Sequence, residues 1–155
     1  MSKFTLKDVS EKMRDIDFAI LSTRTEGGSV AGRPMSNNRN VDFDGDTYFF
    51  TCDDARTVAD IRRDSNVGVS YQSKSGMLGM KPFFIAMEGR ASLVQDKEQF
   101  AKHWDKDLDS WFKQGIDTPG LTMVRVEAER IHYWDGYEEG ELDLATAAAQ
   151  VPAGT

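Results

Sequence analysis

In an acidic chain, the stretch GGSVAGRPMS at 27–36 places a single arginine, Arg33, among side chains too small to pack against it. The Gly-Gly pair signals a turn, and the residues after it read as a strand. A guanidinium is a rigid fork of N–H donors that matches a phosphate. A second group lies further on. DTYFFTC at 46–52 reads as a strand with Phe50 and Thr51 near its end, and DDARTVADIRRDS then opens a helix with Arg56 and Thr57 in its first turn. The start of a helix offers free N–H groups and partial positive charge to an anion. Together Arg33, Phe50, Thr51, Arg56 and Thr57 form an anion-binding constellation with an aromatic ring beside it. Each also has a plainer reading on its own: Arg33 as the ion-pair partner of one of 26 acidic residues, Arg56 as a solvated charge on a helix.

Residues suited to acid–base or nucleophilic work are few. The two histidines, His103 and His132, have no metal-ligand spacing around them and read as structural or surface residues. The single cysteine, Cys52, at a strand end, reads as a small buried hydrophobe. No Ser-His-Asp or Cys-His arrangement is present, and no glycine pattern matches a phosphate loop or dinucleotide fingerprint. GGSVAG follows a strand, but a strand rather than a helix follows it. No residue is assigned as a catalytic acid or base, and no metal site is expected.

These groups need a frame. FTLKDVSEKMRDI spaces Leu6, Val9, Met13 and Ile16 as one helical face, with Thr5 and Asp8 as a cap and Phe4 and Val9 as a staple. DFAILSTRT, SVAGRPMSN, RNVDF and DTYFFTC read as a four-stranded antiparallel meander over 17–52, with an Asp-Gly turn at 44–45. After the helix at DDARTVADIRRDS come the strand NVGVSYQ, the glycine-rich connection SKSGMLGMK and the long strand PFFIAMEGRASLVQ, where Gly89 suggests a bulge. DKEQFAKHWDKDLDSWFKQ reads as one amphipathic helix carrying Phe100, Trp104, Leu108 and Trp111, and LTMVRVEAERIHYWDG as two strands around EAE. About six to seven strands with short links and three peripheral helices favour a mainly β, α+β, small antiparallel barrel. One domain is expected over 1–136. The acidic, apolar-poor tail 137–155 is expected to be partly disordered or docked.

Bulk properties narrow the classes further. At 155 residues with 19 Lys+Arg against 26 Asp+Glu, the net charge is −7. That disfavours a general nucleic-acid binder, which needs a basic face. One cysteine excludes an internal disulfide and suits a reducing compartment. No apolar run approaches the ~18 residues of a membrane span, and MSKFTLKDVSEK lacks the apolar core of a signal peptide. A cytoplasmic protein is expected.

Taken in order, GRPMS, DGDTYFFTCDDARTVADIRRDSNVGVSY, IAMEGRASLV and WF…GIDTPGLTMVRVEAERIHYWDG resemble the pyridoxamine-phosphate-oxidase-like, flavin-binding split barrels, and among them the general stress protein 26 branch. The resemblance runs from about residue 5 to 136. It implies a six-stranded split β-barrel, a homodimer and two FMN sites at the subunit interface. It places Arg33 at the phosphate, Pro34 and Met35 along the flavin, and Phe50 and Thr51 near the isoalloxazine edge and phosphate. The family's Ser-x-Lys phosphate signature falls on Ala55, Arg56 and Thr57. Both ends differ, so a hydroxyl and an ammonium are replaced by what Thr57 and Arg56 supply, and the choice between FMN and FAD stays open. Trp134, in YWDG, falls where the neighbouring subunit's tryptophan reaches the flavin. Trp111 belongs to the branch's characteristic helix, as core or as site. The implied function is flavin binding, with weak oxidoreductase activity or, alternatively, a non-catalytic carrier or sensor role in stress.

Overall fold

The computed structural model describes residues 4–37, 43–74 and 81–144. Helix α1 (Leu6–Met13) starts as its sequence dictates: Thr5 accepts from the Asp8 backbone N–H, and the Asp8 side chain accepts from the Thr5 N–H in return. Among the described residues, seven antiparallel strands follow in one curled sheet: β1 (Phe18–Arg24), β2 (Val30–Ser36), β3 (Asp46–Cys52), β4 (Asn66–Gln72), β5 (Phe83–Val94), β6 (Leu121–Asp135) and β7 (Glu138–Asp143). Their order is β2-β1-β4-β5-β6-β3, with β7 also on β6. Helix α2 (Arg56–Arg63) links β3 to β4, and α3 (Lys97–His103) lies between β5 and β6. No helix among the described residues is long and apolar enough to cross a membrane.

The barrel's interior is a single apolar cluster. Leu21, Phe49, Val69, Ile85, Val124, Val126, Ile131 and Tyr133 meet there, closed at one end by Val9 and Met13 of α1. A second cluster of Phe50, Phe100, Leu108, Leu121 and Met123 packs outside β3, beneath α3 and the segment after it. At its ends the strand order does not zip shut: β2 and β3 approach each other without pairing. That gap is the split in the barrel.

Four local expectations change. The β1–β2 hairpin forms, its turn closed by Thr25 N–H to Ser29 O at 2.8 Å with Gly28 at φ 85°. However, β3 leaves the expected meander and pairs with β6, from Asp46↔Glu127 to Cys52↔Leu121. The strand expected at RNVDF lies, apart from buried Phe43, outside the described residues. Residues 121–135 form one strand, because the irregularity at EAE is a bulge: Gly89 faces Ala128 and Glu88 faces Arg130, leaving Glu129 unmatched. The long helix expected over 96–114 stops at His103. Trp104 turns extended to pack on Phe50 and Phe112, and Asp105 caps a new 3₁₀ turn at Lys106–Ser110 by accepting from the Asp107 N–H. The seventh strand, β7, takes the half of β6 that β3 leaves uncovered, from Asp135↔Glu138 to Arg130↔Asp143.

The bulge makes a stability prediction. A Cβ on Gly89 would stand 2.5 Å from the Glu127 carbonyl oxygen and 3.2 Å from Val126 Cγ1. The clash is with backbone, which cannot swing away. Gly89→Ala is expected to destabilise the fold by roughly 1–3 kcal/mol, read as a lower denaturant midpoint at unchanged slope. An unchanged midpoint would contradict the bulge geometry.

Candidate cleft at the barrel split

The split between β2 and β3 opens into a cleft of about 350 Å³. Strand β2 contributes Arg33, Pro34, Met35 and Ser36, and β3 contributes Phe50, Thr51 and Cys52. Thr57 of α2, with Phe18, Leu108, Trp111 and Phe112, completes the lining. Seven of the residues singled out from sequence therefore converge: Arg33, Pro34, Met35, Phe50, Thr51, Thr57 and Trp111. Two do not. Arg56 is exposed and stays outside the lining. Trp134 lies on the outer face of the sheet, stacked on His132 at 4.0 Å between ring centroids.

The walls are mostly apolar and aromatic. Trp111 is 61% exposed and meets Phe18, itself 52% exposed, edge to face at 6.4 Å. An indole this exposed beside a cleft is a wall awaiting contact rather than core. The cationic end is built from three elements. Register sets Arg33 opposite Leu21, on the inward side of the sheet. Its Nη1 donates to Thr23 Oγ1 at 2.7 Å, and Nη2 lies 3.5 Å from Asp60 Oδ2. Asp60, on the buried face of α2, also accepts from Thr23 Oγ1 at 2.7 Å and from Arg63 Nη2 at 2.8 Å. Burial pushes the Asp60 pKa up, but the hydrogen bonds from Thr23 and Arg63 and the two arginine charges outweigh it. The carboxyl is held below its usual range. The plainer reading of Arg33, an ion pair, is thus present, and Arg33 also lines the cleft.

Helix α2 begins at Ala55 with no side-chain cap, and among the described residues no side chain accepts from its first-turn N–H groups. Thr57 is buried there and is among the residues that line the cleft. Cys52, half-buried in the wall, has its thiol pKa raised by burial and by the carboxylates of Asp54 and Asp53, which keeps it protonated. His103 stacks on Tyr48 at 3.7 Å and His132 shares a hydrogen with Glu139 at 2.6 Å; neither lines the cleft. Sequence reasoning did not single out Phe18, Ser36, Leu108, Phe112, Thr23 or Asp60 as site residues. For Asp60 a signal existed: helical spacing puts it among Thr57, Val58 and Ile61, an acid on a face that must be buried.

The chain as a whole is similar to known proteins. The family model for pyridoxamine 5'-phosphate oxidase like proteins matches residues 5–152. General stress protein 26 of Bacillus subtilis is 25% identical over 145 residues, covering 89% of this chain and 96% of the relative. Protein bli-3 of Neurospora crassa is 24% identical over 138 residues; the match covers 83% of this chain but only 63% of that longer protein. Among solved structures, a protein from Clostridium acetobutylicum related to general stress protein 26 superposes with a TM-score of 0.75 at 15% identity, covering 91% of this chain and 95% of the other. A heme binding protein from Mycobacterium smegmatis gives 0.71 at 16% identity, covering 96% and 62%. The structural likenesses confirm the split-barrel fold. With a family model spanning nearly the whole sequence, the chain belongs to the pyridoxamine 5'-phosphate oxidase like family.

Proposed function

We propose that the cleft binds a flavin, FMN in the first place and FAD as the alternative, at the interface of a cytoplasmic homodimer that acts as an oxidoreductase. The observation that carries this reading is the convergence at one split of flat apolar walls with a cationic end. Phe18, Pro34, Met35, Phe50 and Trp111 suit a planar ring system; Arg33, Thr57 and the uncapped start of α2 suit a phosphate. The volume also fits, since small-molecule clefts run from roughly 300 to 1,000 Å³. A bound flavin would supply hydride or electron transfer, and the chain's own residues would hold and orient it. Among the described residues, all of the lining falls within 1–136, and β7 adds none.

Dimerisation draws support from the outer face of the sheet. The registers align Pro34, Ile20, Ser70, Ala86 and His132 in one row. Ile20 is 42% exposed and Phe84 37%. With Phe18 and Trp134 they line a hollow of about 370 Å³. Phe18 belongs to both this hollow and the cleft, so a second chain seated on the face would lie beside the ligand.

The absorption spectrum of the purified protein tests the reading, and the paired near-ultraviolet and blue bands of a bound flavin are expected. A single Soret band would assign the cleft to haem, in line with the heme binding protein of the same fold. Anaerobic addition of NAD(P)H separates an oxidoreductase, which bleaches the flavin and turns over with added acceptors, from a carrier or sensor, which does not.

A further inference from the structure

Asp60 is 2% exposed and lies directly behind the cleft's cationic end. Its two oxygens are unequally committed. Oδ1 accepts from Arg63 at 2.8 Å, and Oδ2 accepts from Thr23 at 2.7 Å. Arg33 reaches Oδ2 only at 3.5 Å, while its short bond goes to Thr23 at 2.7 Å. Among the described residues, Arg33 Nε makes no hydrogen bond; the side chain is 20% exposed, and Arg33 is among the residues lining the cleft. Asp60 would therefore remain hydrogen-bonded and charge-compensated if Arg33 turned away. Arg33, in turn, would stay anchored by Thr23 while presenting its free donors to an anion. A ligand phosphate and the Asp60 carboxylate facing the same guanidinium would be like charges, which repel appreciably in a site of reduced dielectric. A ligand anion at Arg33 therefore competes with an anion already there.

We propose that Asp60 is a resident counter-anion for Arg33, from which a ligand phosphate draws the guanidinium away, so that Asp60 sets how strongly the cleft prefers a phosphorylated ligand to its unphosphorylated counterpart. This rests on Arg33 serving a ligand phosphate, but not on that phosphate belonging to a flavin. Asp60 does two things in this role. It holds Arg33 in the fold before any ligand arrives, and it subtracts from the attraction felt by the phosphate that replaces it. It is a positioning residue, touching the ligand only through Arg33.

Asp60→Asn tests the proposal, because the amide keeps the shape and an acceptor for Thr23 but removes the charge. Inorganic phosphate, FMN and riboflavin are titrated into the apo protein by calorimetry. The expected result is that phosphate and FMN bind on the order of three- to tenfold more tightly while riboflavin is unchanged. The gain should vanish in the Arg33→Ala background. Parallel changes for FMN and riboflavin, or weaker binding of phosphate, would overturn the proposal. If Asp60→Asn does not fold, Arg63→Gln replaces it, at a side chain 40% exposed. That variant leaves the Asp60 charge to Arg33 alone and is expected to weaken phosphate and FMN several-fold and spare riboflavin. No change would overturn the proposal. A wild-type protein that binds neither FMN nor FAD, yet gains phosphate affinity in Asp60→Asn, would sink the flavin reading and support the counter-anion.

Discussion

Arg33→Ala is expected to weaken FMN binding by about ten- to a hundredfold and to leave riboflavin binding nearly unchanged. The magnitude follows from the roughly 1.5–3 kcal/mol carried by a hydrogen bond to a charged group. The selectivity follows from chemistry: Arg33 contributes a cation to the lining, which riboflavin, lacking a phosphate, does not need. The fold is expected to survive, because Asp60 keeps the Thr23 hydroxyl and Arg63. Calorimetric titration of both ligands into both proteins makes the comparison. Equal losses for FMN and riboflavin would mean that the contacts of Arg33 to Thr23 and Asp60 are its whole purpose.

A dimer combining Arg33→Ala in one chain with Trp134→Ala in the other is expected to recover about half the wild-type flavin content. Each mutant homodimer should bind poorly at both sites. The structure keeps Trp134 out of its own chain's cleft and sets it on the outer face, beside the hollow that Phe18 shares with that cleft. It follows that Trp134 can reach a flavin only in a second chain. In the mixed dimer one site would then have both residues and the other neither. Co-expression with two tags and sequential purification isolates the species. If the mixed dimer holds no more flavin than its parents, Trp134 does not cross the interface. A monomer that held FMN tightly would also rule out the composite site.

What could be read from sequence was local chemistry. The Thr5–Asp8 cap, the hairpin turn at Gly28 and the bulge at Gly89 each follow from a few adjacent residues, and each is present. Pairing between distant segments was not legible. Nothing in DTYFFTC announces that β3 joins a distant strand, from Cys52↔Leu121 to Asp46↔Glu127, instead of its neighbours. EAE at 127–129 looks like a break because charged residues interrupt apolar ones, yet a bulge absorbs the mismatch and the strand continues. The end of α3 hid in a helical periodicity that Asp105 overrides by capping a new turn. The site shows the same division. Arg33, Thr51 and Thr57 stand in short local patterns, so short-range reasoning could single them out, whereas Pro34 and Met35 came only with the family resemblance. Thr23 and Asp60 became visible only once α2 lay against β1, since their bond spans 37 residues.

Titration of the apo protein with FMN, with FAD as the parallel ligand, tests the central claim most directly. The account predicts saturation at about one flavin per chain with a Kd well below ~100 μM, equivalent to more than about 5.5 kcal/mol of binding free energy. It also predicts quenching of tryptophan fluorescence as the ring system settles against Trp111. If neither FMN nor FAD binds at ~100 μM, the cleft at the barrel split is not a flavin site.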